Sequence, residues 1–389
     1  MLKTLAINNY RSLFDLVIPL NRLNIITGAN ASGKSNLYKA LRLLAETAQG
    51  GVTHSLAKEG GLNTTFWAGP EKISKQMLKR EIPVQGGPRQ KVPRLRLGFA
   101  DEVFGYSISL GYPEPPTASA FSLDPEIKRE TIWAGDVYKI PSALVDRVGP
   151  SVKIRDGHQW EVIEQYNPAF ESIFTQAMYI DKTPEVIQLR EKIKGWRFYD
   201  HFRSDKDAPA RLPQLGTRTP ILSQDGHDLA AALQTIIEIG DSQALDEAIE
   251  DAFPGSRLDI KKYENGHFIV ELYQEGLLRP LSASELSDGT LRYLLWTAAL
   301  LTPRPPELMV LNEPETSLHP DLLPALARLI IKASEKTQVW VVSHANILVS
   351  ALKEAPDSNL IQLEKELGQT KVLGQGLLDK PNWHWPDAT

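Results

Sequence analysis

Apolar positions along the first fifty residues change period twice. Leu5 and Ile7, then Leu16, Ile18 and Leu20, alternate with polar neighbours, with Asn8-Asn9 and Asn21-Arg22 as breaks, which predicts two short strands. A third apolar run, Leu23-Asn24-Ile25-Ile26-Thr27, leads into Gly28-Ala29-Asn30-Ala31-Ser32-Gly33-Lys34-Ser35. Beyond it the spacing lengthens: Leu37, Ala40, Leu41 and Leu44 fall on one face of a helix that Gly50-Gly51 ends. Strand, glycine-rich loop and helix stand in direct succession.

Period-two alternation then takes over, in Leu95, Leu97 and Phe99 and again in Phe104, Tyr106, Ile108 and Leu110. Asp156-Gly157 sits between two further candidate strands as a hairpin turn, so residues 92–163 read as mostly antiparallel sheet. Ahead of that sheet, residues 72–96 carry Lys72, Lys75, Lys79, Arg80, Arg89, Lys91, Arg94 and Arg96 against a lone acid, Glu81, with Gly86-Gly87-Pro88 inside. This stretch reads as a mobile basic insertion. Thr183-Pro184 opens a helix that buries Val186, Leu189 and Ile193 and closes at Gly195. A proline- and arginine-rich connection (203–220), a helix from Asp228 to Ile239 and a strand pair around Asn265-Gly266 follow. From 281 the order is loop, helix (291–301), apolar strand (307–312), helix (321–334) and the strand Val339-Trp340-Val341-Val342. Helices alternating with apolar strands predict a parallel sheet covered on both faces.

Composition narrows the chemistry. A chain of 389 residues with 42% hydrophobic content can bury one large core or two smaller ones. It has no cysteine, which excludes disulfides, thiolate metal sites and a cysteine nucleophile and fits a reducing compartment. The amino terminus lacks the apolar core of a secretion signal, and no stretch approaches the ~18 apolar residues of a membrane span. A cytoplasmic protein without membrane association is expected. The net charge of −5 exerts no global pull on nucleic acid, so DNA binding would need a local basic surface.

Gly28 to Ser35 fits the P-loop pattern in the context that pattern requires, after a strand and at the start of a helix. Glycines let the backbone wrap a polyphosphate, N–H groups and the helix terminus meet its charge, Lys34 reaches the outer phosphates and Ser35 reaches magnesium. The apolar run 308–312 would supply the second half of such a site, with Glu313 orienting the attacking water. By itself that run followed by Asn-Glu-Pro is equally a buried strand and a turn.

Three further segments fall in order around these two. With "INNYRSL" before "NIITGANASGKSNLYKAL" at one end, and "ELSDGTLRYL", "LMVLNEPETSLHP" and "VVSHA" at the other, the chain resembles RecF/SMC-like, ABC-type AAA-family ATPases. That group is related to the ATPase domain of overcoming-lysogenization-defect nucleases. The resemblance covers about a third of the chain. It implies an α/β fold, a P-loop NTPase with an ABC-type ATPase head: a mixed or parallel core sheet flanked by helices, an antiparallel β subdomain and a helical insertion. The expected organisation is an amino-terminal lobe (1–163), a helical insertion with connecting strands (164–280) and a carboxyl-terminal lobe (281–389).

The resemblance also implies residue roles. Gly28, Asn30, Ala31, Ser32, Gly33, Lys34, Ser35 and Asn36 would hold ATP. Ser287 and Gly289 of the signature loop would reach the terminal phosphate of a second subunit, although Asp288 replaces the commoner glycine, and Ser-Asp-Gly-Thr before an apolar helix is also a plain helix cap. His344 would touch the terminal phosphate as the switch residue; a histidine after a strand is otherwise structural. Arg11 would lie near the nucleotide; its alternative is an exposed hairpin cation. The glutamine-bearing loop of the family is not found, and Gly60-Gly61-Leu62-Asn63 stands in its place. His319 and Pro320 read as loop-shaping residues.

Asn312 replaces the aspartate that usually ends the Walker B strand. An asparagine keeps an acceptor oxygen for a magnesium-bound water and loses the charge, and such losses typically cost about 10- to 100-fold in metal affinity or activity. Glu313 is retained. The expectation is an ATPase that uses Mg2+, turns over slowly and dimerises around ATP, acting on DNA in repair or phage defence. The alternative is an ATP-driven switch for a separately encoded effector, a nuclease or toxin. An intrinsic nuclease is disfavoured, because fewer than fifty residues follow His344. Steady-state ATP hydrolysis should be slow but measurable in the wild type and absent in Glu313→Gln; wild-type turnover no faster than the variant's contradicts the assignment.

Overall fold

A computed structural model describes residues 1–389 apart from 87–91, 115–119, 158, 165–167, 176–181, 377 and 387–389. Strands β1 (Leu2–Tyr10), β2 (Leu13–Pro19) and β3 (Leu23–Gly28) open the chain. Helices α1 (Lys34–Thr47) and α2 (Val52–Lys58) and two single turns, α3 (Leu62–Thr65) and α4 (Lys75–Leu78), follow. Then come β4 (Leu95–Asp101), β5 (Phe104–Gly111), β6 (Glu126–Ala134), β7 (Ala143–Val148), β8 (Ser151–Asp156) and β9 (Gln159–Glu164). After α5 (Pro184–Lys194) lie β10 (Arg197–Tyr199), β11 (Gln214–Leu215), α6 (Leu229–Ile239), α7 (Ser242–Ala252), β12 (Arg257–Lys262), β13 (His267–Tyr273) and β14 (Leu281–Ser282). The chain ends with α8 (Asp288–Leu300), β15 (Leu308–Asn312), α9 (Leu323–Ser334), β16 (Gln338–Val342), α10 (Asn346–Lys353), β17 (Ser358–Glu366) and β18 (Gln369–Val372).

These elements form two compact units that interleave along the sequence. The first comprises Met1–Asn21, Gly28–Gly195 and Ile361–Thr389. Its antiparallel sheet runs in the order β2-β1-β4-β5-β6-β7-β8-β9. Asn8 and Asn9, expected to break the first strand, lie inside β1: Asn8 carries a cross-strand hydrogen bond from Arg96, and Asn9 donates to the Arg94 carbonyl. The chain reverses two residues later, at Arg11-Ser12. Arg96 lies within β4, paired with Asn8 and Ser109, and Arg94 directly precedes that strand. Ser74 caps α4 ahead of them, and Lys72, Lys75, Lys79 and Arg80 are exposed. Gly87, Pro88, Arg89 and Lys91 lie outside the described residues. Leu37, Ala40, Leu41 and Leu44 of α1 are all buried, as their spacing requires.

The second unit comprises Arg22–Thr27 and Trp196–Leu360. Its centre is a parallel sheet in the order β10-β15-β16-β3. The core strands are apolar throughout because helices cover them: Met309, Val310, Leu311, Val339, Trp340 and Val341 are fully buried. Helices α6 to α10 share the same hydrophobic cluster, with Leu233, Leu245, Leu294, Leu326 and Leu348 inside it. A smaller antiparallel sheet orders β11-β13-β12, with β14 beside β13. No helix among the described residues is long and apolar enough to cross a membrane.

A buried ion pair fixes the far half of the antiparallel sheet. Glu130 on β6 faces Arg147 on β7 at 3.1 Å, both side chains fully buried. Glu130 also accepts from Tyr106 (2.8 Å), Ser172 (2.6 Å) and the Ile173 amide (3.0 Å). Arg147 donates to the carbonyls of Gly149, Pro168 and Glu171. Burial, reinforced by the Glu130 charge, raises the Tyr106 pKa well above its ordinary value. Arg147→Met leaves Glu130 charged in a dry site and should destabilise the protein by about 3–5 kcal/mol in urea unfolding; an unchanged midpoint would show that the pair contributes nothing.

Candidate nucleotide-binding site

In the first unit, backbone conformations dictate the glycines of the loop that leaves β3. Gly28 has φ +149°, and a Cβ there would lie 2.3 Å from the Leu363 carbonyl oxygen. Gly33 has φ +111°, and its Cβ would lie 2.1 Å from Thr370 Oγ1. A donor chain braces the loop: Asn36 Nδ2 donates to Ser12 Oγ (2.8 Å), Ser12 pairs with Thr370 Oγ1 (2.7 Å), and Thr370 donates to the Ser32 carbonyl (2.8 Å). Ser12 and Thr370 had no signal in the sequence, because their role exists only once β18 lies beside the first hairpin.

This loop is built for an anion. Lys34 is buried to 8% exposure and its Nζ donates to the carbonyls of Gly28 (2.6 Å) and Ala29 (3.0 Å), so its charge is folded onto its own loop. The buried Ser32 hydroxyl has no hydrogen-bond partner among the described residues. The amino terminus of α1 has neither a side-chain cap nor an acid in its first turn, leaving the positive end of the helix dipole uncompensated. Asn30, Ala31 and Ser35 are exposed at the loop's rim. Arg11 is engaged in a left-handed turn (φ 50°): its guanidinium pairs with Glu59, the residue that follows α2, at 2.8 Å, and the Tyr10 hydroxyl donates to the same carboxylate at 2.6 Å. Gly61 opens α3, and Asn63 accepts from Tyr112 (2.6 Å), so the stretch that replaces the glutamine loop packs against the sheet.

In the second unit, register aligns three strand ends. Asn312 pairs with Val342, and Val342 with Ile26, two residues before Gly28. The Glu313 amide donates to the Val342 carbonyl (2.8 Å), and the Ser343 amide to that of Ile26 (3.0 Å), so the ladder continues past each strand. Glu313 then turns sharply at φ 50°, a conformation uncommon for a side-chain-bearing residue, and its carboxylate is half exposed. His344 follows β16, its Nδ1 3.8 Å from Glu313 Oε1 and 3.4 Å from Glu315 Oε1. The structure thus brings Asn312, Glu313 and His344 to one edge.

Glu315 was not singled out in the sequence, although it is the second acid of "NEPE". It is buried, and its Oε1 accepts from Ser343 Oγ (2.8 Å), the His344 amide (3.0 Å) and the Ala345 amide (3.2 Å). It ties the loop after β15 to the segment that carries the histidine. His319 shapes the same loop, accepting from the Asp321 amide at 3.3 Å.

The signature segment sits at the head of α8. Ser287 caps the helix, its Oγ accepting from the Thr290 amide (3.1 Å), and its exposed position leaves the helix head open to solvent. Asp288 is gripped by the buried guanidinium of Arg211 at 2.7 Å, which also donates to the carbonyls of Ser204, Ala283 and Leu286. Gly289 packs so that a Cβ would stand 3.2 Å from the Ser317 carbonyl oxygen. Arg292 joins the Ser204 hydroxyl (3.0 Å), the Thr316 carbonyl (2.9 Å) and His201 Nε2 (3.1 Å). Burial pushes its pKa down, against the opposing charge of Asp288.

Parallel strands ending in a phosphate-type loop, an acid and a histidine define a P-loop NTPase fold. A family model described as "AAA domain, putative AbiEii toxin, Type IV TA system" matches residues 167–350, and one described as "AAA ATPase domain" matches residues 1–82. The Smc head bound to the carboxyl-terminal winged-helix domain of ScpA superimposes with TM-score 0.51 at 12% identity, covering 97% of this chain and 98% of that one. The SMC head from Thermotoga maritima gives TM-score 0.44 at 14% identity, covering 97% and 99%. None of the curated proteins matches the sequence. The chain is thus similar to AAA-family ATPase domains over these two segments and has the fold of an SMC head.

Among the described residues no group of three or more His, Asp or Glu side chains stands ready to hold a metal ion unaided. Magnesium at such a site arrives with phosphates, which supply most of its ligands. The orphaned Ser32 hydroxyl, the uncapped helix and the folded-back Lys34 fit that delivery.

Glu315→Ala should leave the Ser343 hydroxyl and the His344 amide without their acceptor and the Ala345 amide with Ser343 Oγ alone (3.1 Å). Unfolding free energy should fall by about 1–3 kcal/mol, and the His344 and Ala345 amides should exchange faster with deuterium. Unaltered exchange at both would mean that Glu315 does not hold the segment.

Proposed function

We propose that this chain binds ATP with magnesium, hydrolyses it slowly and closes as a homodimer around the nucleotide. The observation that carries the reading is the register of β15, β16 and β3, which sets Asn312, Val342 and Ile26 at one level, with Glu313 one residue beyond the first and His344 and Gly28 two residues beyond the others in sequence. Lys34 exchanges its two loop carbonyls for phosphate oxygens, the Ser32 hydroxyl gains its missing partner, and Ser35 and Asn312 serve the magnesium. Magnesium, when bound, neutralises charge on the outer phosphates. Glu313 accepts the proton of the attacking water, and His344, steadied by Glu315, contacts the terminal phosphate.

Dimer closure is supported by the exposed Ser287 head of α8, whose position Arg211 and Arg292 fix relative to the loops after β10 and β15. Closure on ATP then becomes mechanical output. We read that output as work on DNA in repair or phage defence, supported by the exposed cluster Lys72, Lys75, Lys79 and Arg80. A second reading, regulation of a separate effector protein, is supported by the Smc head structure that carries a bound ScpA domain. DNA affinity that falls steeply with salt and is lost on neutralising the four cations favours the first reading; nucleotide turnover indifferent to DNA favours the second.

Light scattering of Glu313→Gln should show a dimer with ATP and magnesium and a smaller species without nucleotide, while Lys34→Ala stays small in both. One mass under all conditions contradicts nucleotide-driven closure.

A further inference from the structure

A carboxylate stands one strand away from the position where the sequence has lost one. β10 pairs with β15 in parallel, Tyr199 opposite Leu311, so the residue that follows β10, Asp200, falls beside the last residue of β15, Asn312. Asn312 Nδ2 donates to Asp200 Oδ1 at 3.4 Å, and both residues are half-buried. A primary amide has a donor end and an acceptor end. With the nitrogen directed at Asp200, the carbonyl oxygen of Asn312 is turned the other way. The loop that carries Asp200 is itself anchored, since Arg292 binds His201 and Ser204 immediately after it.

We propose that Asp200 and Asn312 divide the two duties of a Walker B aspartate. Asn312 presents the acceptor oxygen to a magnesium-bound water. Asp200 fixes the orientation of that amide and supplies the negative charge. Asp200 is thus a positioning residue, acting on the metal through its neighbour. The inference rests on the ATP and magnesium reading above. An aspartate at 312 would stand within hydrogen-bonding distance of Asp200, where two carboxylates repel, so Asn312→Asp alone should bring no gain in magnesium affinity.

The test uses the full chain and a fluorescent, non-hydrolysable ATP analogue, with binding followed as magnesium is raised from an EDTA baseline. Wild type should bind more tightly as magnesium rises. Asp200→Asn should raise the magnesium concentration for half-maximal binding by about 10- to 100-fold while leaving binding in EDTA as it was. The double exchange D200N/N312D, which moves the single charge to 312, should return the magnesium requirement toward the wild-type value. An unchanged requirement in D200N overturns the proposal. So does a D200N defect that the double variant fails to repair, which is the signature of a damaged fold. Wild-type binding that ignores magnesium altogether overturns the parent reading and this inference with it, and is distinguishable because it shows before any exchange is made.

Discussion

Parallel registry in the second unit is the constraint from which the site's architecture follows. A parallel sheet sends every strand out at the same edge, and hydrogen bonds between β15, β16 and β3 hold Asn312, Val342 and Ile26 level. Because the strands are buried on both faces, a slip of one residue would turn apolar side chains such as Leu311 and Trp340 from one set of helices to the other, and the cost of that rearrangement locks the alignment. Chemistry-bearing residues can then follow each strand within one or two positions. Glu313 is aimed by its left-handed turn, His344 by Glu315, and the P-loop by two glycines whose conformations exclude a side chain.

A second set of contacts links that edge to the head of α8. Two buried arginines do most of this. Arg211 closes on the carbonyls before α8 and on Asp288, and Arg292 spans from α8 to the loops after β10 and β15. Each guanidinium offers five donors in a rigid fork, so breaking any one loop away strands the others. A change at Glu313 or Thr316 therefore has a short polar path to the exposed Ser287, the element expected to meet a second subunit. Asp288, where a glycine is commoner in the family the sequence resembles, is explained by Arg211, which needs an anion to complete its set of acceptors.

The sequence disclosed the elements whose periodicity is unbroken. The strand, loop and helix from Leu23 to Thr47, the antiparallel run beyond 92 and the alternation after 281 were legible because burial on one face or on both leaves a two- or 3.6-residue signature. It disclosed the P-loop as a motif, since its glycines serve backbone conformations that other residues resist. What escaped was short or depended on distant partners. β10 has three residues, too few for a period, yet it joins the central sheet and delivers Asp200. Helix α7 was missed despite Ala244, Leu245, Ala248 and Ile249 at helical spacing, since its acidic face dilutes the pattern. The placement of β1's break failed because Asn8 and Asn9 satisfy their amides across the sheet, a long-range event that local propensity does not register. Glu315, Arg211, Arg292, Ser12 and Thr370 share that limit: each is defined by what it holds.

The central claim is that Lys34 and Glu313 serve the same triphosphate. A crystal structure of Glu313→Gln with ATP and magnesium tests it most directly. The account predicts the Lys34 ammonium on the outer phosphates, released from the Gly28 and Ala29 carbonyls, with the side chain of residue 313 facing the terminal phosphate across a single water. A nucleotide seated on Lys34 with residue 313 remote from its phosphates would contradict the account.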